Sequence, residues 1–255
     1  MPSGRASQVA RLPTADAVVA DAAGRFVAAA AQAVRETGRF VVALAGGSTP
    51  KRLYELLSTP EYARKVDWAH THVFFGDERC VPPEDPASNY RMARLALLDR
   101  VPVAATNVHR MRGEDDPAEA AAAYERQLRT TFATPSGPPT LRGDGRFHLV
   151  LLGMGDNGHT ASLFPGLSAV RERERWVMAE HVAEVGAWRI TLTPPVLNAA
   201  VQVLFLVLGA EKAPMLKRVL QGPAQPDALP AQAIAPQDGA LTWLVDAAAA
   251  AELDG

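Results

Sequence analysis

Six apolar runs of strand length, RFVVALA (39–45), THVFFG (71–76), FHLVLLG (147–153), WRITLT (188–193), VQVLFLVLG (201–209) and LTWLVD (241–246), are separated by longer helical stretches. A strand with one face in water alternates apolar and polar residues. Several of these runs are apolar on both faces, as parallel strands covered by helices on each side must be. The helical patterns lie at about 15–36, 50–57, 89–98, 117–132, 194–199 and 210–220. Strand and helix in alternation predict an α/β fold, a doubly wound, mostly parallel sheet with helices on both faces. At 255 residues and 48% hydrophobic content the chain can fill the core of such a sheet, and it reads as a single domain over 1–255. The Pro/Gly-rich stretches TPSGPPTLRGDG (134–145) and GPAQPDALPAQ (222–232) fall between elements of one pattern and are expected to be surface loops. The alanine runs at 120–123 and 247–251 read as helix filling.

The 26 basic and 28 acidic residues are spread along the chain and leave a net charge of −2. That balance predicts neither a nucleic-acid stripe nor a polybasic membrane arm, so no nucleic-acid or membrane partner is expected. An anionic ligand has to be met by a few local charges. Cys80 is the single cysteine, which excludes an internal disulfide and a multi-cysteine zinc site and suits a reducing compartment. No compact apolar segment with a cleavage site follows the start, and no run reaches about 18 apolar residues, so the expected location is the cytoplasm.

In an open parallel sheet, ligands bind at the carboxyl ends of the strands. The chemically loaded residues stand there: Gly46-Gly47-Ser48-Thr49 after the first run, Asp77-Glu78-Arg79 after the second, and Gly153 to His159 after the third. The first is a strand, a glycine turn and a helix with Pro50 in its opening turn, an arrangement whose N–H groups and hydroxyls cradle phosphate. A plain N-capped turn, or a nucleophile elbow around Ser48 lacking its last glycine, are the alternatives. In Asp77-Glu78-Arg79 the arginine can hold an anion bidentately or stabilise an oxyanion, or the three charges form ion pairs within a solvated loop. Cys80 reads as a small packed residue. His159 begins a helix or a sharp turn, with glycines around it that allow close ligand approach. His70 and His72 could share a strand face, but no third ligand is placed to complete a metal site, so none is expected. The RERER run (171–175) is a solvated charged stretch. Arg189 and Lys212 could complete a phosphate site, or be surface ion pairs.

Together these loops resemble the 6-phosphogluconolactonase family, within the fold it shares with glucosamine-6-phosphate deaminase and ribose-5-phosphate isomerase. The motifs that carry the resemblance are LAGGSTP, GDER with SNYRM, GMGDNGHTASLFPG, RITLTPPVLNAA, LVLGAEKA and LPAQAI, which run through most of the chain in family order. The resemblance implies a cofactor-free lactonase of the oxidative pentose phosphate pathway, acting on a small phosphosugar lactone. It implies that Gly46, Gly47, Ser48, Arg189 and Lys212 hold the substrate phosphate, with the Thr49 hydroxyl beside them. It also implies that His159 is the general base, with Asp77 and Arg79 next to the reacting ring. A δ-lactone is an activated ester, so one base near neutral pKa that deprotonates water suffices, without a covalent nucleophile.

The chain departs from the family pattern at one point. Family members often carry Pro-Asp before Gly-His, whereas Asp156-Asn157 stand here, so either Asn157, Asp156 or another group orients the histidine, or a lactonase dispenses with that acid. Deaminases resemble the same motif with an aspartate at the position of Asn157 and a glutamate at that of Phe164; the absence of both disfavours an aldose–ketose deaminase-isomerase. A non-catalytic sugar-phosphate sensor is the remaining alternative, and it would need a partner to reach DNA. Oligomeric state is left open.

Overall fold

The computed structural model describes residues 7–133, 140–143 and 145–254. In chain order the elements are β1 (Gln8–Leu12), α1 (Ala15–Thr37), β2 (Phe40–Leu44), α2 (Ser48–Leu57), α3 (Pro60–Ala63), β3 (Thr71–Phe75), β4 (Asp77–Arg79), α4 (Asn89–Ala96), α5 (Pro117–Phe132), β5 (Leu149–Leu152), β6 (Val177–Val182), β7 (Ala187–Leu192), α6 (Pro194–Asn198), β8 (Gln202–Val207), α7 (Ala213–Gln221) and β9 (Ala240–Asp246). Local chemistry sets several boundaries. The Thr14 side chain accepts from the Ala17 N–H to start α1, and Gly38 stops it in the left-handed conformation at φ 77°. Asp116 caps α5, with Pro117 in the first turn, where its missing N–H is harmless.

The main sheet has the order β1-β9-β8-β5-β2-β3, and every pairing in it is parallel. Its strands alternate between two cores. Val41, Ala43, Phe74, Val150, Leu152, Val203, Phe205, Trp243 and Val245 face one core, which includes α5 and its Phe132. Phe40, Val42, Leu44, Val73, Phe75, Leu149, Leu151, Leu204, Leu206 and Leu244 face the other, beneath α1, α2 and α4. The doubly wound α/β expectation is met, and its cause is visible in each strand: with apolar side chains on both faces, only helices on both sides can cover it. Helix α1 has the length and apolarity of a membrane crossing, but Val18, Ala22, Phe26 and Ala30 are buried in the second of these cores.

The chain goes from β2 outward to β3 and later returns to β5 on the opposite side of β2, so the strand order reverses between β2 and β5. A reversal of this kind opens a crevice at the strands' carboxyl ends. The loops beginning at Ala45 and Gly153 both emerge there.

Several expectations need correction. WRITLT does not join the parallel sheet. As β7 it lies at the centre of a separate antiparallel sheet, β4-β7-β6. Asp77-Glu78-Arg79 is a strand, β4, not a loop, because Gly76 carries the chain straight from one sheet to the other. Its N–H bonds to the Leu44 carbonyl at 2.8 Å and its carbonyl accepts from Leu192 at 2.8 Å. Residues 247–251 are turns, not helix, and Asp246 accepts from the Ala249 N–H instead. The chain after β8 opens with a 3-10 turn, Ala210–Lys212, before α7. Of the expected loop at 134–145, residues 134–139 and 144 lie outside the described residues; the stretch 222–232 is a loop that ends in a 3-10 turn, Pro230–Ala233.

Candidate active site

The first wall of the crevice is the turn after β2. The hydroxyl of buried Tyr54 donates to the Ala45 carbonyl at 2.8 Å and accepts its N–H at 2.9 Å, which fixes the strand end to α2. Burial pushes that phenol well above its usual range, so it stays protonated. Gly46 has no room for a side chain, since a Cβ there would lie 2.0 Å from Asn89 Oδ1. Gly47 has φ 101°, which glycine adopts without strain. Helix α2 has no side-chain cap, so the N–H groups of its first turn and the hydroxyls of Ser48 and Thr49 are turned to the cleft they line.

Strand β4 supplies the second wall, and its three charged residues have different tasks. Glu78 is buried and accepts from the N–H groups of Arg79 (2.8 Å), Asn89 (2.7 Å) and Tyr90 (2.8 Å) and from the Ser88 hydroxyl (3.0 Å). It anchors the start of α4. Burial raises its pKa, against those hydrogen bonds. Asp77 accepts from Asn89 Nδ2 at 3.1 Å and from Ser162 Oγ at 2.6 Å. Ser162 is aimed by Ala161, a non-glycine residue in the left-handed region at φ 47°. Such strain, of order 1–3 kcal/mol, is held only where the surroundings enforce it. The Arg79 guanidinium donates to the Ala87 carbonyl.

The third wall is the loop after β5, where His159 stands in a sharp turn with no helix following. Gly155 N–H bonds to the His159 carbonyl at 2.9 Å, and the Gly158 N–H to the Gly155 carbonyl at 3.0 Å. Gly158 has φ 80°, and its carbonyl accepts from Ala231 at 2.9 Å, so the 222–232 loop buttresses the turn. Asn157 orients the imidazole: its Oδ1 lies 3.1 Å from the His159 backbone N and 2.7 Å from Nδ1. The backbone N–H must donate, so the Asn157 atom facing it is the amide oxygen, which only accepts; Nδ1 therefore carries the proton and Nε2 is left with its lone pair. Phe164 stacks on the ring, with centroids 4.2 Å apart and planes at 17°. Burial lowers the His159 pKa, while Asp77 pulls it upward.

These walls enclose two lobes that share Asp77, Arg79, His159 and Ala161. One, of about 220 Å³, is lined by the glycine turn, Ser48, Thr49 and Lys212. The other, of about 250 Å³, is lined by Asn157, Phe164, Glu184 and Arg189. Lys212 thus joins the glycine turn, and its ammonium pairs there with Asp156. Arg189, grouped with Lys212 in the sequence reading, stands apart in the second lobe. It is on β7, directly opposite Arg79 of β4. Burial lowers its pKa, and so does the neighbouring Arg79.

Four contributors escaped the sequence reading: Tyr54, Asn89, Ser162 and Glu184. Asn89 carries a weak signal, as the first residue of a serine-capped helix; Glu184 carries none, since it bonds to Asn157 from another sheet. His70 and His72 do not share a strand face. His70 ends a 3-10 turn and bonds to Asp67 at 2.8 Å, while His72 meets His109 at 3.2 Å. Among the described residues no group of three or more His, Cys, Asp or Glu side chains could hold a metal ion. Cys80 is half-buried, and burial pushes its thiol up to about 11.

Residues 13–243 match the family model described as glucosamine-6-phosphate isomerases/6-phosphogluconolactonase. A 6-phosphogluconolactonase of Nostoc sp. is 45% identical over 244 residues, covering 95% of this chain and 96% of that protein. The solved 6-phosphogluconolactonase of Trypanosoma cruzi superposes with a TM-score of 0.84 at 28% identity, covering 99% of this chain and 98% of that one. A monomeric glucosamine-6-phosphate deaminase shares the fold, with a TM-score of 0.78 at 20% identity, covering 96% and 99% of the two chains.

Proposed function

The chain belongs to the glucosamine-6-phosphate isomerase/6-phosphogluconolactonase family, and from that premise we infer the roles of its site residues. The reaction is hydrolysis of 6-phosphoglucono-δ-lactone to 6-phosphogluconate, in the pentose phosphate pathway. The observation that carries the assignment of roles is that Asn157 Oδ1 meets both the backbone N–H and Nδ1 of His159, which makes Nδ1 the protonated nitrogen and leaves the Nε2 lone pair to take a proton.

In our reading the phosphate is held in the first lobe by Lys212, by the hydroxyls of Ser48 and Thr49 and by the first-turn N–H groups of α2. Phosphate displaces Asp156 from Lys212. The lactone ring then reaches the junction of the lobes, beside His159, Asp77 and Arg79. Nε2 takes a proton from water as its oxygen bonds to the lactone carbonyl carbon. The carbonyl electron pair moves onto oxygen, where Arg79, with Arg189 beyond it, is placed to offset the charge. When the tetrahedral carbon collapses, the bond to the ring oxygen breaks and the His159 imidazolium returns the proton to that oxygen. The products are a hydroxyl and a carboxylic acid that ionises in solution. Asp77, bonded to Asn89 and Ser162, supplies the negative field that favours the imidazolium of this step.

A deaminase-isomerase moves a proton between carbons and, by the family pattern, uses carboxylates at the positions of Asn157 and Phe164. Here an amide and a phenyl ring occupy both sides of that role, and the phenyl is stacked on the imidazole. A cytoplasmic location and action of the whole chain as one catalytic unit belong to the same reading. The test is steady-state hydrolysis of 6-phosphoglucono-δ-lactone, with the spontaneous rate subtracted, beside a glucosamine-6-phosphate deaminase assay. We expect lactonase activity that falls roughly 10²- to 10⁴-fold in a folded His159→Ala variant. A folded His159→Ala enzyme with near-wild-type kcat overturns the assignment of the base.

A further inference from the structure

We propose that Glu184 is a positioning residue for the general base: by accepting a hydrogen bond from the Asn157 amide nitrogen, it holds the amide in the one orientation that leaves His159 Nε2 unprotonated. The inference rests on the lactonase reading and on His159 as its base.

An asparagine side chain is a weaker orienter than the aspartate common at this position, because it has two faces of opposite sense. With Oδ1 toward the imidazole, Nδ1 must be the protonated nitrogen. With the amide turned over, Nδ2 donates to Nδ1, the proton moves to Nε2, and the site loses its base. A wrong tautomer is among the costliest defects a catalytic histidine can have, with losses near 10⁴-fold where it is enforced. Two contacts oppose the turn here. The His159 backbone N–H donates to Oδ1 at 3.1 Å, and Asn157 Nδ2 donates to Glu184 Oε2 at 2.9 Å. Turning the amide over would set its oxygen against the Glu184 carboxylate, an acceptor facing an acceptor.

Glu184 reaches this point from the other sheet. It lies in the 3-10 turn Ala183–Val185 that joins β6 to β7, and Gly186, in the left-handed conformation at φ 60°, closes that turn. Its carboxylate lines the second lobe with Asn157, His159 and Arg189. The residue is exposed, so the bond contributes little to folding stability. Its effect is on which way the amide faces.

The charged groups facing the imidazole are Asp77 of β4, Lys212 before α7, Asp156 of its own loop and Glu184. Arg79 and Arg189 face the same lobe. Loss of the Glu184 charge alone would therefore move the acid limb of the rate profile to lower pH without lowering its plateau, and that separates a field effect from positioning.

The test compares kcat, KM and the pH profile of wild-type, Glu184→Ala and Glu184→Gln enzymes. Glu184→Ala should lower the kcat plateau about tenfold, short of the roughly 10⁴-fold loss of an enforced wrong tautomer because the His159 backbone N–H still opposes the turn, with KM unchanged. Glu184→Gln can still present an oxygen acceptor to Asn157 Nδ2, but its own amide can turn and donate, so it should keep more of kcat than Glu184→Ala without reaching the wild-type value. Asn157→Asp puts two carboxylates within hydrogen-bond distance of each other; it should impair the enzyme, and adding Glu184→Gln should restore it. A Glu184→Ala enzyme with wild-type kcat overturns the proposal, and so do equal kcat losses in the Ala and Gln variants, or an Asn157→Asp effect indifferent to residue 184. Each of these outcomes leaves the lactonase reading standing, because that reading falls only with the wild-type and His159→Ala measurements.

Discussion

Replacing Gly155 by alanine tests the placement of His159 without removing a polar group. A Cβ at position 155 would lie 2.0 Å from Cε1, 2.1 Å from Nδ1 and 2.8 Å from Nε2 of the imidazole. Non-bonded carbons settle near 3.5 Å, so the ring has to retreat by about 1.5 Å. Phe164, stacked at 4.2 Å, limits movement along the ring normal. Sliding or turning the ring instead stretches the 2.7 Å bond to Asn157 beyond the roughly 3.5 Å at which a hydrogen bond is lost. Misplacing a reacting group by about 1 Å can lower a rate about 10²-fold, so kcat should fall at least that far, toward the loss expected for His159→Ala. The fold should survive. Gly155 is not among the glycines with positive φ, so alanine fits the backbone, and the gain of about 0.4–1 kcal/mol from a less free unfolded chain offsets part of the crowding. The assay is lactone hydrolysis over a range of substrate concentrations, with a thermal melt of the same preparation. A folded Gly155→Ala enzyme with kcat near wild type refutes the claim that this imidazole, in this position, is the base.

The first lobe makes two opposite predictions for KM: Lys212→Ala should raise it with kcat little changed, because phosphate is bound equally in ground and transition states. Asp156→Ala should lower it by up to about fivefold, since an exposed ion pair competing with phosphate is worth at most about 1 kcal/mol; equal KM in all three enzymes would move the phosphate elsewhere. The pH profile of kcat/KM should lose activity as pH falls through a pKa below the usual histidine value, because burial keeps the folded imidazole neutral to lower pH; an acid limb above the usual value contradicts this. The fourth prediction concerns stability. Burial, and then His72, push His109 down to about 4, so the unfolded chain takes up its proton first as pH falls. Stability present above about pH 6.5 is thus lost progressively down to about pH 4, by up to about 3 kcal/mol. Urea unfolding at both ends of that window should show a smaller drop for His109→Gln, and an unchanged drop would assign the acid lability to other groups.

What could be read from the sequence divides along one physical line. Five of the six main-sheet strands are legible because burial on both faces writes a local signature, a continuous apolar run, that needs no knowledge of the partner strand; the sixth, β1, is a partly exposed edge strand, QVARL, which has no such run and escapes the sequence reading. The glycine turn and the His159 loop are legible for a related reason: close approach and positive φ demand glycine at fixed local positions, as at Gly47 and Gly158. In the antiparallel sheet only β7, within WRITLT, carries such a mark. Strand β4 is three residues long and fully charged, and β6, VMAEHV, is only partly buried. Both exist because β7 pairs with each of them, a non-local fact. The orientation of the base belongs to the same hidden class. His159 is held by a neighbour two residues away, which the motif displays, but that neighbour is held by Glu184, 27 positions on and in the turn that joins two strands of the other sheet. The fold therefore has a reason to bring the small sheet against the crevice. The parallel sheet places the glycine turn, the histidine and Lys212 at the carboxyl ends of its strands. Four charged groups of the second lobe, Asp77, Arg79, Glu184 and Arg189, arrive instead on the antiparallel sheet or on the turn that joins β6 to β7.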